Sequence, residues 1–327
     1  MRKALIPFAL LAAAPLLAAD KPALPAPSEI VAGAPRADWT AIAASDLLVM
    51  DLAPAANGKP RWVVIQLMPA PFSQGWIGNI RKLAAAQWWD GLAVTRVQDN
   101  YVAQWGDPDG EDKAKARKLP DGLATVPESG YMLDLQSDPA LLDRAADMVE
   151  PLAATMQTWF ETKGASGLRG DRYASLTLAW QGWPLAIEDG WAWPVHCYGM
   201  VGVGRNMSPD TGSGAELYTV IGHAPRHLDR NIALVGRVIE GIEHLSSLPR
   251  GTGPLGVYES RAEQVPITAI RLGSAVPGLP AYEYLSTESE SFAKYAEARA
   301  NRRDAFFIRP AGGADICNIP VPVRRAQ

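Results

Sequence analysis

The chain has 327 residues, 48% hydrophobic and 20% charged, enough apolar material to bury a sizeable core and too little charge for a disordered chain. Lysine and arginine number 31 against 35 aspartates and glutamates, a formal charge of -4, which argues against the basic face that a nucleic-acid partner requires. Two cysteines are too few for a disulfide scaffold or a four-thiolate zinc site, so no metal is implied.

Met1-Arg2-Lys3 gives a charged start, Ala4 to Ala19 is apolar apart from Pro7 and Pro15, and Leu17-Ala18-Ala19 closes the run on small residues. Residues 1–19 are therefore expected to be a secretory signal peptide. The run is shorter than the roughly 20 apolar residues of a spanning helix, so cleavage is expected in place of anchoring. The mature chain is then exported, periplasmic and not stably inserted in a membrane. Residues 20–45 are expected to be a linker and N-terminal segment, opening on the Pro/Ala tether Lys21 to Pro27. Export also puts Cys197 and Cys317 in an oxidising space, where they are a candidate disulfide pair. Two buried, unpaired thiols are the alternative, and only geometry chooses.

Asp46 to Leu52 and Arg61 to Met68 are β-rich runs separated by a loop containing Asn57-Gly58, which reads as a hairpin. From Phe72 to Gln87, Trp76, Ile80, Leu83 and Ala84 share a helical face that Asp90-Gly91 terminates. Leu92 to Gly106 is strand-like. Between Glu111 and Trp193 the text changes: charged and Pro/Gly-rich residues give way to a helix opened by Asp138-Pro139, with Leu142, Ala145, Met148, Val149 and Leu152 as its stripe, a kink at Pro151 and Gly164 past its end. Trp180, Trp183, Trp191 and Trp193 follow. Gly199 to Arg205, Glu216 to Gly222, Ala233 to Ile239 and Ile267 to Leu272 read as strands. A helix from about Thr287 to Asp304, with Thr287-x-x-Glu290 as a capping box, precedes an irregular tail containing Cys317.

Two blocks of motif-like text stand out in the chain. The first runs through Ala70-Pro71, Asn79, Leu83, Trp89-Asp90-Gly91-Leu92, Thr95-Arg96-Val97, Tyr101, Gln104 and Gly106-Asp107-Pro108. The second runs through Gly199-Met-Val-Gly-Val-Gly-Arg205, Tyr218-Thr-Val220, Leu228-Asp229 and Val235-Gly236-Arg237-Val238-Ile239-Glu240-Gly241. An Asp-Gly or a Gly-Asp-Pro alone is turn chemistry, but the ordered set is specific, covers about half the chain and resembles the cyclophilins.

The resemblance implies a mainly β fold: a closed eight-stranded antiparallel barrel capped by two helices, over 46–272, with 111–193 as an inserted helical, Trp-rich lobe and 273–327 as a C-terminal helical extension. It implies peptidyl-prolyl cis/trans isomerisation of proline-containing polypeptides during folding of exported proteins, without cofactor. Arg96 matches the catalytic arginine and Gln104 the glutamine that orients it. Tyr101 matches the phenylalanine that floors the proline pocket, Val102 falls on the pocket methionine, and Leu217, Thr219, His227 and Leu228 fall on its remaining walls. Thr95, Trp105, Leu217 and Thr219 depart from the usual residues, and His227 and Ile232 stand where tryptophan and histidine are frequent. Those losses leave a rival reading open, a cyclophilin-like binding or chaperone module with weak or no isomerase activity. Trp183, Trp191 or Trp193 could refill the aromatic wall or simply form the insert's own core. His223 and His227 do not make a metal pair, since Pro225 between them forbids the helix that would align them.

Overall fold

A computed structural model describes residues 24–136 and 171–326. The signal peptide expected at 1–19, the first residues of the tether and the helix expected after Asp138-Pro139 lie outside them. Helix α1 (Pro27–Ala32) opens on a proline, whose fixed φ suits a first helical position, and leads to strand β1 (Trp39–Ile42). Strands β2 (Leu47–Leu52) and β3 (Arg61–Leu67) pair as the hairpin expected around Asn57-Gly58, from Leu47 opposite Gln66 to Leu52 opposite Arg61. Their near-continuous apolar text has a structural reason: Leu48, Met50, Val63 and Ile65 face the barrel core, while Leu47 and Val64 pack outward with Ile42 and Tyr282.

Helix α2 (Gln74–Ala85) buries Trp76, Ile77, Ile80, Leu83 and Ala84. Asn79 is buried beside them and ties the helix down, donating to the Ala124 and Ser213 carbonyls and accepting the Ala124 N–H at 2.7 Å. The strand-like stretch from Leu92 to Gly106 is two strands, β4 (Ala93–Val97) and β5 (Val102–Gly106). The chain reverses at Asn100, one of the few residue types that accept a left-handed φ, here 50°.

The described part of the insert is β and not helical: β6 (Leu133–Asp134), β7 (Leu176–Trp180), β8 (Trp183–Glu188) and β9 (Trp191–Pro194) form a sheet in the order β6-β9-β8-β7. Its two-residue turns, Gln181-Gly182 and Asp189-Gly190, have positive φ throughout, as tight hairpins require. Trp183, Leu185, Ala192 and Trp193 join the barrel residues in one continuous core, so this sheet packs against the barrel without a break.

Strands β10 (Met200–Val203), β11 (Leu217–Val220), β12 (Leu234–Glu240) and β13 (Val265–Leu272) complete a closed barrel, β10-β11-β5-β4-β13-β2-β3-β12, antiparallel throughout. Helix α2 packs on β12 and β13, and the single turn α3 (Glu243–Ser246) lies against β3. The C-terminal segment is not simply helical: β14 (Tyr282–Leu285) and β15 (Val323–Arg325) form a three-stranded sheet with β1, and α4 (Glu290–Ala300) packs on α1. Ser289, not Thr287, caps α4, accepting the Phe292 N–H at 3.1 Å; Thr287 instead accepts the Gly182 N–H. No helix among the described residues is long and apolar enough to cross a membrane.

Cys197, just before β10, is bonded to Cys317 in the tail, 120 positions later. Constraining so long a loop in the unfolded chain is expected to stabilise the protein by about 2 to 4 kcal/mol. Thiol titration of denatured, unreduced protein should find no free thiol, and reduction should lower the thermal midpoint. Two titratable thiols, or an unshifted melt on reduction, would contradict this.

Candidate active site

Side chains alternate between the two faces of a strand, so register decides what reaches the site. In β4, Val94 lies opposite Trp105 and Val97 opposite Ala103, all four buried in the barrel; between them the register shifts, and Thr95 is the extra residue of a bulge. In a regular, unbulged strand Arg96 would share the inward face of Val94, two residues before it. With the bulge, Arg96 lies opposite Gln104 on the outer face.

There the guanidinium is held on three sides. Nη1 donates to Gln104 Oε1 at 3.3 Å, Nε to the Leu255 carbonyl at 2.7 Å and Nη2 to Gln98 Oε1. Leu255 adopts φ 57°, a left-handed conformation that costs a non-glycine residue roughly 1 to 2 kcal/mol and here turns the loop before Tyr258 against β4. Half-burial pulls the Arg96 pKa below its usual value and the nearby Tyr101 pushes it back, leaving a cation at neutral pH. The guanidinium carbon lies 5.6 Å from the Tyr101 ring centre.

Beside it, Val102, Tyr218 and Val220 form a buried apolar cluster on the outer face, with Tyr101 and Ile232 against it. Pairing explains the membership: Tyr218 lies opposite Gln104 and Val220 opposite Val102. Leu217 and Thr219, expected on the pocket wall, are corrected by the same register. They lie opposite Trp105 and Ala103, on the inner face, and Leu217 belongs to the barrel core. His227 is exposed and stacks on Tyr101, ring centres 6.4 Å apart and 12° from parallel. Leu228 ends the turn Arg226–Leu228, half-buried and outside the apolar cluster. Trp183 and Trp193 are core residues stacked under Arg237 and Arg230, and do not join that cluster.

Several residues behind the site had no signal strong enough to be singled out. The Tyr218 hydroxyl meets His196 Nε2 at 2.8 Å, and His196 Nδ1 meets Asp229 Oδ1 at 2.8 Å. Arg226 Nε donates to Asp229 Oδ2, and the other end of the guanidinium grips Asp171 with two hydrogen bonds. Burial drives the His196 pKa down despite its contact with Asp229; burial also acts to raise Asp229, but the hydrogen bonds from His196 and Arg226 prevail and lower it. The imidazole is therefore neutral, donating from Nδ1 to Asp229 and accepting the Tyr218 hydroxyl proton at Nε2. Burial holds that hydroxyl far above its ordinary pKa, so it remains a donor. Among the described residues no three His, Cys, Asp or Glu side chains are grouped to hold a metal ion.

Residues 75–272 match the family described as cyclophilin type peptidyl-prolyl cis-trans isomerase/CLD, and the chain belongs to that family. It is a peptidyl-prolyl isomerase and acts on proline-containing chains. Among solved structures, the cyclophilin AquaCyp293 from Hirschia baltica shares its fold, with a TM-score of 0.58 at 19% identity over 88% of this chain and 94% of that one. A cyclophilin-type isomerase from Cryptosporidium parvum aligns less closely, with a TM-score of 0.37 at 11% identity over 69% of this chain and 96% of that one. A second structure of that protein, in the presence of the dipeptide Ala-Pro, gives 0.36, again at 11% identity, over 68% of this chain and 98% of that one. No curated protein matches.

The register yields a direct comparison of neighbours. The buried Thr219 hydroxyl has no hydrogen-bond partner among the described residues. Thr219→Val keeps the shape and removes that unpaired group, so it should raise unfolding free energy by about 1 kcal/mol and change kcat/KM by less than about twofold. Tyr218→Ala, on the pocket face, should lower kcat/KM. Urea unfolding and a prolyl-peptide assay on both variants check this; a several-fold activity loss in Thr219→Val with unchanged stability would return Thr219 to the site.

Proposed function

We propose that Arg96 is the group that lowers the isomerisation barrier, that Gln104 orients it, and that Tyr101, Val102, Tyr218 and Val220 hold the proline ring while His227 and Leu228 edge the groove. The peptide bond resists rotation by about 18 to 20 kcal/mol because the nitrogen lone pair is delocalised into the carbonyl. At the twisted midpoint that lone pair is localised, and the nitrogen becomes a hydrogen-bond acceptor that neither planar isomer offers. A donor aimed at it binds the twisted state selectively, which is what catalysis requires. Gln104, Gln98 and Leu255 engage three of the five N–H groups of the guanidinium, so the remaining two can face the substrate while the others hold the plane fixed. Rotation is the whole reaction. No covalent bond changes partners, and the step calls for no nucleophile or electron carrier.

The observation that carries this reading is the fixed Arg96–Gln104 pair at the edge of an apolar, tyrosine-walled cluster. The same cluster favours an enzyme over a holding module, because Tyr218 supplies the aromatic wall that Thr219 does not. The compartment proposed is the periplasm, with soluble, exported clients; the signal-like text of residues 1–19 and the Cys197–Cys317 bridge support it.

Arg96→Ala should lower kcat/KM by at least about tenfold, equivalent to about 1.4 kcal/mol of transition-state binding, with the circular-dichroism spectrum unchanged. Peptide affinity should weaken less than the rate, because the interaction belongs to the twisted state. A native spectrum with undiminished turnover would falsify the role given to Arg96.

A further inference from the structure

Glu216 immediately precedes β11, and its carboxylate is enclosed between the end of β5, the loop that follows it and the turn after β10. Oε1 accepts the Asp107 backbone N–H at 2.8 Å, and the carboxylate also accepts from the Gln104 side-chain amide. The other end of that amide is the oxygen that receives Arg96 Nη1. Two glycines leave room for the carboxylate. A Cβ on Gly106 would lie 2.1 Å from Glu216 Oε1, and one on Gly204 would lie 2.9 Å from Glu216 Cβ.

We propose that Glu216 is a positioning residue of the isomerase site: ionised, it fixes Gln104 in the orientation that holds Arg96, and on taking up a proton it frees that orientation and slows isomerisation. The inference rests on the role proposed for Arg96. An amide that donates to an anion at one end and accepts from a cation at the other has one favourable orientation. A protonated carboxyl gains an O–H that needs an acceptor. Of its two bonded neighbours, the Asp107 N–H cannot accept, so the available acceptor is the Gln104 carbonyl. To reach it the amide must turn over, and its NH2 group then faces the guanidinium, donor against donor. Arg96 keeps Leu255 and Gln98, so it is loosened rather than lost.

The carboxyl is placed to titrate in the working range. Burial is the main cause lifting its pKa from 4.5 to about 7; the Asp107 and Glu111 charges in the loop after β5 add to it, and the hydrogen bonds from Asp107 N–H and Gln104 oppose it. The other charged groups around it are engaged elsewhere: Arg205, next to Gly204, donates to the Asn231 and Asn206 carbonyls, Asp109 pairs with Arg261, and the Arg117 guanidinium donates to the Trp88 and Asp90 carbonyls. Arg96 reaches Glu216 only through Gln104.

The test is kcat/KM on a prolyl peptide between pH 8 and pH 6, for the wild-type chain and for Glu216→Gln, His227→Gln and Arg96→Ala. A group titrating near pH 7 goes from about nine-tenths to about one-tenth ionised over that range, so the wild type should lose up to about tenfold. Glutamine keeps an acceptor for Asp107 and Gln104 but does not titrate, and the ratio between the two pH values should fall to about one. His227, the imidazole stacked on Tyr101 at the edge of the groove, is the competing source; its variant should retain the step. A flat wild-type profile, or a step that survives in Glu216→Gln, overturns the proposal. Undiminished turnover in Arg96→Ala would instead overturn the reading beneath it. Stability provides a readout independent of rate. A carboxyl whose folded pKa is raised destabilises the fold when ionised, so the advantage of Glu216→Gln in unfolding free energy should open above pH 4.5 and level off above pH 7. If that advantage opens while the wild-type rate stays flat, Glu216 titrates without positioning Arg96.

Discussion

Thr95, the extra residue in β4, determines which side of the barrel receives the guanidinium. Side chains reverse face at every step along a regular strand, so a bulged residue offsets that alternation for the residues beyond it. Here the offset brings Arg96 out opposite Gln104 and returns Val97 to the interior opposite Ala103. The β5–β11 ladder then aligns Tyr218 with Gln104 and Val220 with Val102. Cation, orienting amide and apolar wall thus come from three neighbouring strands whose hydrogen bonds set their spacing.

A site that acts by holding a donor still has to be backed by structure that does not yield. Tyr218 is backed by the buried His196–Asp229–Arg226–Asp171 chain, in which one guanidinium is shared by two carboxylates. Such a chain costs desolvation and repays it only when every member is satisfied, so it contributes rigidity more than net stability. It also reaches the tail. Asp315 lies 3.5 Å from Arg226, and the Cys317 sulfur sits 3.9 Å from the His196 carbonyl, beside the bridge to Cys197. The C-terminal segment therefore braces the wall behind the proline pocket, although it is remote from that wall in sequence.

The parts legible in the sequence were those set by local chemistry. Asn57-Gly58 announced the β2–β3 hairpin, the Trp76, Ile80, Leu83 stripe announced α2, and the ordered motif pieces led to Arg96 and Gln104. Asp189-Gly190 carried the same hairpin signal for β8 and β9, but the helical stripe after Asp138-Pro139 led the insert to be read as a helical lobe. What sequence could not supply was register. Leu217 and Thr219 differ from Tyr218 and Val220 by a single step, and nothing within Leu217-Tyr218-Thr219-Val220 says which pair faces out; that is fixed by Gln104 and Val102 on a strand more than a hundred positions earlier. The pairing of β1 with β14 is equally nonlocal, which is why both chain ends read as a linker and a helical extension.

The two charged systems around the pocket differ in a way that matters for what each can do. The chain behind Tyr218 contains two carboxylates and a guanidinium, so opposite charges meet: Asp229 is pulled down, and the buried His196 stays neutral. Glu216 is also enclosed, but its hydrogen bonds come from a backbone N–H and an amide, and the charges nearest to it are carboxylates. With burial and like charge raising its pKa and no cation in direct contact to lower it, the group stays near the point where a proton is gained or lost at physiological pH. One side of the site is thereby locked across the working range and the other is free to respond, and the responsive side is the one in contact with the amide that orients Arg96.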